Sequence, residues 1–179
     1  MKLESLHDLF ALKIMALYDI ESEIVKALPK MAKAATDPDL RQSFLDHLEE
    51  TRGHVERLEA VFSEIGMKPK KTKVMAIRGL VEDTQWLIKE EPSPAALDAG
   101  LIASARYVEH YEMAGYLSSV VWAKLLGYSE AAKLLQATLE EEKAADEKLA
   151  KAAEESINEK ALVDTEEDEN TEDDLDEDE

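Results

Sequence analysis

No cysteine occurs in this chain, which excludes disulfides, thiolate zinc sites, iron–sulfur clusters and thiol nucleophiles. Six glycines and five prolines in 179 residues are too few for a β-sandwich or barrel, which turns about every ten residues. No run of 18 apolar residues occurs, so no segment reads as a membrane span. Met1-Lys2-Leu3-Glu4 lacks the apolar core of a signal peptide, which points to a cytoplasmic chain. Bases are scarce: 21 against 41 acids, a net charge of −20. That balance argues against nucleic-acid binding through a basic face. The one basic stretch, Lys68 to Lys73, has no interleaved aromatics and reads as a solvated loop. Phosphate-binding loops, serine triads and Rossmann glycine patterns are absent.

What is abundant is Ala, Leu, Glu and Lys, the composition of a helix bundle. The charge is concentrated at one end. From Asp164 onward 12 of 16 residues are acids, and without them 29 acids face 21 bases, a net −8. This tail has one apolar residue, Leu175, too little to offset its ordering entropy. The reading is a bundle over residues 1–160 and a disordered acidic tail over 161–179 that keeps the chain soluble.

Helix punctuation is clear. A first long helix runs from about Ser5 to Ala35, with Leu6, Phe10, Leu17, Ile20, Ile24, Leu28 and Met31 on one stripe. Pro29 lies inside it and predicts a kink, because its ring meets the carbonyl of Val25. Thr36-Asp37-Pro38 starts a second helix that stops at Gly66, with Phe44, Leu48, Thr51, Val55, Leu58, Phe62 and Ile65 as its seam. A shorter helix spans about Val74 to Glu90. A third long helix, capped by Ser93, runs to Leu126 and Gly127. A fourth, capped by Ser129, runs to about Ser156. The two tight joints predict antiparallel hairpins. The 28 residues between the hairpins, Gly66 to Ser93, suffice to cross the bundle. The all-α fold class expected is a ferritin-like antiparallel four-helix bundle, with an extra short helix in the long crossover between helices 2 and 3.

The seams turn polar at one level. Glu21 interrupts the first, with His47, Glu50 and His54 along an edge of the second. Glu109 and Glu112 interrupt the third, and Glu142 and Asp146 the fourth. Each set lies near its helix midpoint, and midpoints meet in an antiparallel bundle. Unpaired buried carboxylates cost several kcal/mol each, and no Lys or Arg stands on the central seam positions to pair them. A cation is the cheapest solution, and Glu and His on facing bundle helices are the donor set of a di-iron or di-manganese carboxylate site.

The stretches SLHDLFALKIMALYDIESEIVKALPKMAKAA, HLEETRGHVERLEAVFSEIG, ARYVEHYEMAGY and KLLQATLEEEKAADEKL, in that order from about Leu3 to Ser156, resemble the YciE/YciF family of bacterial ferritin-like stress proteins. The resemblance implies a bundle distantly similar to rubrerythrin, a homodimer, and a link to stress responses. It implies two metal ions per chain, iron in the first place with manganese as the alternative. Carried over by position, it makes Glu21, Glu109 and Glu142 ligands, and Glu50 and His54 the helix-2 pair, at a spacing of four where three is usual. Glu112 resembles the additional helix-3 carboxylate of rubrerythrin-like proteins. The histidine expected three residues after Glu142 is missing; Ala145 stands there and Asp146 follows. Asp146 completes the expected ligand set, with His47 and Tyr111 in supporting positions.

Three functions are compatible with this reading. One is a di-iron oxidoreductase acting on peroxide, oxygen or Fe²⁺; lacking cysteine, it would need an external electron donor. The second is a stress protein whose metal only holds the bundle together. The third is iron storage, which needs a shell, and no fifth helix is read after Ser156. The remaining polar residues take ordinary roles. His110 is read as solvated; Glu49, Glu140 and Glu141 as surface acids; Tyr107, Tyr111 and Tyr116 as gap fillers whose hydroxyls bond carboxylates.

Overall fold

A computed structural model describes residues 2–162. Five α-helices run in order: α1 Leu6–Ala34, α2 Pro38–Glu64, α3 Met75–Lys89, α4 Pro94–Leu126 and α5 Ser129–Ala152. There is no strand among the described residues, and none of the helices is long and apolar enough to cross a membrane. The acidic tail from Asp164 lies outside the described residues.

Local chemistry accounts for the helix ends. The Ser5 hydroxyl accepts from the Asp8 amide at 3.2 Å, and Asp37 accepts from the Asp39 and Leu40 amides at 3.0 and 3.2 Å, with Pro38 in the first turn. Gly66 and Gly127 have φ of +70° and +81°, and in each case the next amide reaches back five residues. Met67 N–H bonds the Phe62 carbonyl and Tyr128 N–H the Ala123 carbonyl, both at 2.9 Å. These are Schellman ends, where a left-handed residue lets the last carbonyls find partners. Helix α1 continues unbroken through Pro29.

Two ends differ from expectation. Ser129 is the first residue of α5 and Tyr128 precedes it at the cap position. The cap comes from another helix: the Glu64 carboxylate, at the end of α2, accepts from the Ala131 amide. A negative group at a helix start also complements the helix dipole. The last helix does not stop near Ser156. It passes through a π turn, Ala153–Ile157, and residues 158–162 are again α-helical. In an unbroken α-helix, Ile157 would sit about 80° around from Leu149. The wider turn takes up the difference, and both residues are buried.

Helices α1 with α2, and α4 with α5, form the two hairpins; α1 packs on α4 and α2 on α5 to close the bundle. The ends show the directions. Thr36 and Asp37, after α1, bond Asp98 near the start of α4, and Glu64, ending α2, bonds the start of α5. Each long helix therefore runs antiparallel to both neighbours. Helix α3 lies across α4 and α1. Asp19 of α1 pins its start, accepting from the Val74 amide at 2.9 Å and from Arg78 at 2.7 Å. Gly100 lets α3 approach α4: a Cβ there would come within 2.6 Å of Leu87 Cδ2.

The core fills both ends of the bundle. Phe10, Ile14, Phe44, Leu58, Phe62 and Leu101 are fully buried or nearly so, each worth about 1.5–3 kcal/mol relative to exposure. On α2 the buried stripe is Phe44, His47, Leu48, Thr51, His54, Leu58, Val61 and Phe62. Val55, expected on this seam, is only half-buried.

Candidate metal centre

Between the apolar ends the core becomes polar. Glu21 of α1, His47 and His54 of α2, Glu109 and Glu112 of α4, and Glu142 of α5 are all buried at one level. Glu21, His54 and Glu142 are 0% exposed. Two groups of three can each offer one ligand atom with all atoms within 4.8 Å: Glu21–His54–Glu142 and His47–Glu109–Glu142. Glu142 belongs to both. His54 Nδ1 is 3.1 Å from Glu142 Oε1 and 3.5 Å from Glu21 Oε2. His47 Nε2 is 3.3 Å from Glu109 Oε1 and 3.9 Å from Glu142 Oε2.

The layer brings together more acceptor atoms than donors. Six buried atoms lack a hydrogen-bond partner: Glu21 Oε2, His54 Nδ1, Glu109 Oε2, Glu112 Oε1 and both oxygens of Glu142. Buried polar atoms are almost always satisfied. Six orphans in one layer, carboxylate and imidazole atoms that offer lone pairs once deprotonated, match what a divalent transition metal takes. The residues present fit a dimetal site, with one histidine nitrogen for each group.

The outer sides of both histidines are held by carboxylates. His47 Nδ1 is 3.2 Å from Glu50 Oε2, and His54 Nε2 is 2.9 Å from Glu141 Oε2. Glu50 is held below the usual carboxylate range by its hydrogen bond to His47, and Glu141 by its bond to Arg57. Ionised carboxylates only accept, so the outer ring nitrogens carry protons and the inner ones face the cluster. This is how ligating histidines are usually oriented. Arg57 fixes Glu141 through two bonds of 2.7 Å and reaches Thr138 at 3.0 Å. The Tyr116 hydroxyl donates to Glu21 Oε1.

Without a cation the cluster is electrostatically strained. Burial, with the neighbouring carboxylates behind it, pushes Glu109 up to about 9 and Glu112 well above the ordinary range. Glu142 is raised by burial too. For His54 burial opposes the charged form, but Glu142 and Glu21 outweigh it and take the ring up to about 11. His47 rises for the same reasons, with Glu50 and Glu109 overcoming burial.

The sequence-expected residues divide. Glu21, His54, Glu109, Glu112 and Glu142 come together. Glu50 stays outside, half-exposed, with His47 in the interior position instead. The phase explains the exchange: 47, 51, 54 and 58 repeat at four, three and four, and 50 falls off that stripe. Asp146 is also outside the cluster, bound to Arg106 at 2.7 Å with His110 at 3.4 Å. Tyr111 is 38% exposed, and Tyr116 is the tyrosine that touches the cluster. Glu141, read as a surface acid, partners His54; Arg57, three residues after His54, was the available signal.

Comparison with known proteins agrees with this architecture. Residues 5–162 match the family described as "Domain of unknown function (DUF892)". The chain is 42% identical over 162 residues to protein YciF of Escherichia coli K12, covering 90% of this chain and 98% of that one. The crystal structure of the E. coli stress protein YciF superposes with a TM-score of 0.84 at 40% identity, covering 87% of this chain and 99% of that one. The protein YcfI from Rhodopseudomonas palustris does so with 0.81 at 40% identity, covering 83% and 95%. Sequence and fold together make the chain a member of the DUF892 family, that of the E. coli stress protein YciF.

Proposed function

We propose that the chain is a dimetal carboxylate protein of the stress response. Glu21, His54 and Glu142 hold one ion, and His47, Glu109 and Glu142 hold the other, with Glu142 shared. The observation that carries this reading is the set of six buried donor atoms left without partners. Iron suits mixed carboxylate and imidazole donors, with manganese as the alternative. When bound, a pair of such ions supplies electron transfer to oxygen or peroxide, or from Fe²⁺. Glu112, orphaned on Oε1 beside both groups, is a carboxylate in reserve as the charge of the site changes. Tyr116 holds a proton at Glu21. Reduction requires an external donor, because the chain has no cysteine to hold a second iron site, a composition also suited to a reducing cytoplasm.

A homodimer belongs to the same proposal. Tyr107, Tyr111, Leu117, Val121 and Leu125 are exposed on α4 at spacings that keep them on one stripe. This outer apolar face suits a second copy of the chain.

Elemental analysis of protein purified without chelator tests the centre. Two iron per chain, with peroxide- or oxygen-dependent reoxidation, is the expected result; no bound metal after iron reconstitution overturns it. The histidine missing three residues after Glu142, where Ala145 stands, favours a second reading, in which the ions only stabilise the bundle. That reading expects a large fall in Tm on chelation and no redox cycling.

A further inference from the structure

Two voids reach the cluster, and they differ in chemistry. One, of about 150 Å³, opens between α2, α4 and α5. Asp46, Glu50, Glu141 and Lys148 line it, and it touches His47 and Glu109. The other, of about 40 Å³, lies beneath the crossover helix α3, between it and helices α1 and α4. Ile24, Leu28, Val81, Ile88 and Val108 line it, and it ends on the same His47 and Glu109. So the two voids meet the cluster at one shared pair of residues from two sides.

The void under α3 is ill-suited to water or to ions. Lys30, Gln85 and Ser104 border it as well, yet nearly all of its surface is apolar, and the Thr84 hydroxyl is spent on the Leu80 carbonyl at 2.8 Å. A water molecule needs two to four polar partners, and apolar voids stay dry while accepting xenon or small hydrocarbons. The size is ample for a diatomic molecule, since about 10–15 Å³ by this measure holds one water. Yet its inner end carries Glu109, 3% exposed and with Oε2 unpartnered. A dry void has no structural need to end on an unsatisfied carboxylate of a metal-binding cluster.

We infer that this cavity is a binding site for a small uncharged apolar molecule of the dioxygen class, and that it delivers that molecule to the His47–Glu109 side of the centre. The inference rests on the dimetal reading and sharpens it: the apolar route admits dioxygen and excludes hydrogen peroxide, which is left with the acidic cleft. Helix α3 is the roof of this route, with only Ile77 and Thr84 buried along its length. The long crossover thereby acquires a role that linking two hairpins does not require.

Xenon-pressurised crystals of the full metal-free chain test the site directly. A xenon atom beneath α3 is expected, and an empty cavity at pressures that fill comparable voids overturns the inference. Ala27→Leu and Ser104→Leu each narrow the cavity from a different helix without lining the acidic cleft, and both keep good helix formers. Each should lose the xenon. In the iron-loaded protein each should slow reoxidation by oxygen about tenfold, a barrier change of about 1.4 kcal/mol, while iron content and reoxidation by hydrogen peroxide stay unchanged. Equal slowing by both oxidants, or by neither, overturns the delivery role. A chain that binds xenon but never binds metal sinks the dimetal reading and the delivery role together, and leaves the ligand class of the cavity standing.

Discussion

Asp19 and Glu21 stand two residues apart on the same helix, both buried, and they live in opposite electrostatic worlds. Asp19 points toward the crossover and is saturated by the Val74 amide and the Arg78 guanidinium. Burial alone would raise its pKa, but Arg78 and the amide overcome it and hold it low. Asp98 is of the same kind, accepting from the Thr36 and Asp37 amides at 2.8 Å and from the Thr36 hydroxyl. Glu21 points to the bundle axis, among carboxylates with unpartnered oxygens. Asp19 and Asp98 are 3% exposed, as is Glu109. Burial therefore does not separate the acids that hold the fold from those that wait for a ligand; the supply of donors does.

The contrast breaks first at Asp98. Asp98→Ala leaves two backbone amides unsatisfied at the joint between α1 and α2 and removes bonds to a carboxylate worth about 1.5–3 kcal/mol each. Urea unfolding should show a loss of about 3 kcal/mol or more, with metal content per folded chain unchanged. A loss below about 1 kcal/mol would place Asp98 outside the structural class.

In the other class the sign reverses. Glu109→Gln replaces, at nearly constant volume, a carboxyl that must take up a proton to be buried, and each pKa unit of strain relieved returns about 1.4 kcal/mol. The metal-free variant should be as stable as the parent or more so, by about 1–3 kcal/mol, and should lose metal binding. Marked destabilisation of the metal-free variant with intact metal uptake would make Glu109 an ordinary hydrogen-bonding residue.

The two classes also respond oppositely to pH. Glu109 titrates at about 9 when folded against about 4.3 unfolded. Over that window the folded state holds a proton that the unfolded state has released, so stability falls as pH rises. His54, at about 11 against about 6.5, adds in the same direction above neutrality. Asp19, held low, instead contributes stability that is lost as pH falls toward its folded pKa. Metal-free protein followed by thermal unfolding should be more stable at pH 6 than at pH 9, and Glu109→Gln should flatten the slope. A slope of opposite sign would remove the strain argument.

The smallest effect is expected at Asp146. Its partner Arg106 is 38% exposed and His110 61%, and ion pairs so open to water are worth at most about 1 kcal/mol. Asp146→Asn should shift Tm slightly and leave metal stoichiometry untouched; loss of metal would return Asp146 to the site.

Much of this was legible from spacing alone. The four long helices, their stops at Gly66 and Gly127, and the carboxylate layer at the midpoints all follow from local periodicity. What escaped depends on groups distant in the chain. Asp98 bonds residues more than sixty positions away, and the cap of α5 comes from Glu64; neither has a local signature. The exchange of Glu50 for His47 is a matter of helix phase. A shift of one residue on α2 also moves Val55 off the seam and brings His54 onto it. The π turn escaped because it serves only to return Ile157 to the core.

The division of the donors between hairpins has a consequence for how the chain folds. The α1–α2 hairpin carries Glu21, His47 and His54, and the α4–α5 hairpin carries Glu109, Glu112 and Glu142. Neither half alone holds a complete triad, because each group of three draws on both hairpins. Local helix pairing can proceed on either side without assembling the site, and the charge conflict arises only at the docking step. A cation present during folding would reward that step alone. It would act as a clasp between two preassembled halves, speeding their docking and slowing their separation, with little influence on the hairpins themselves.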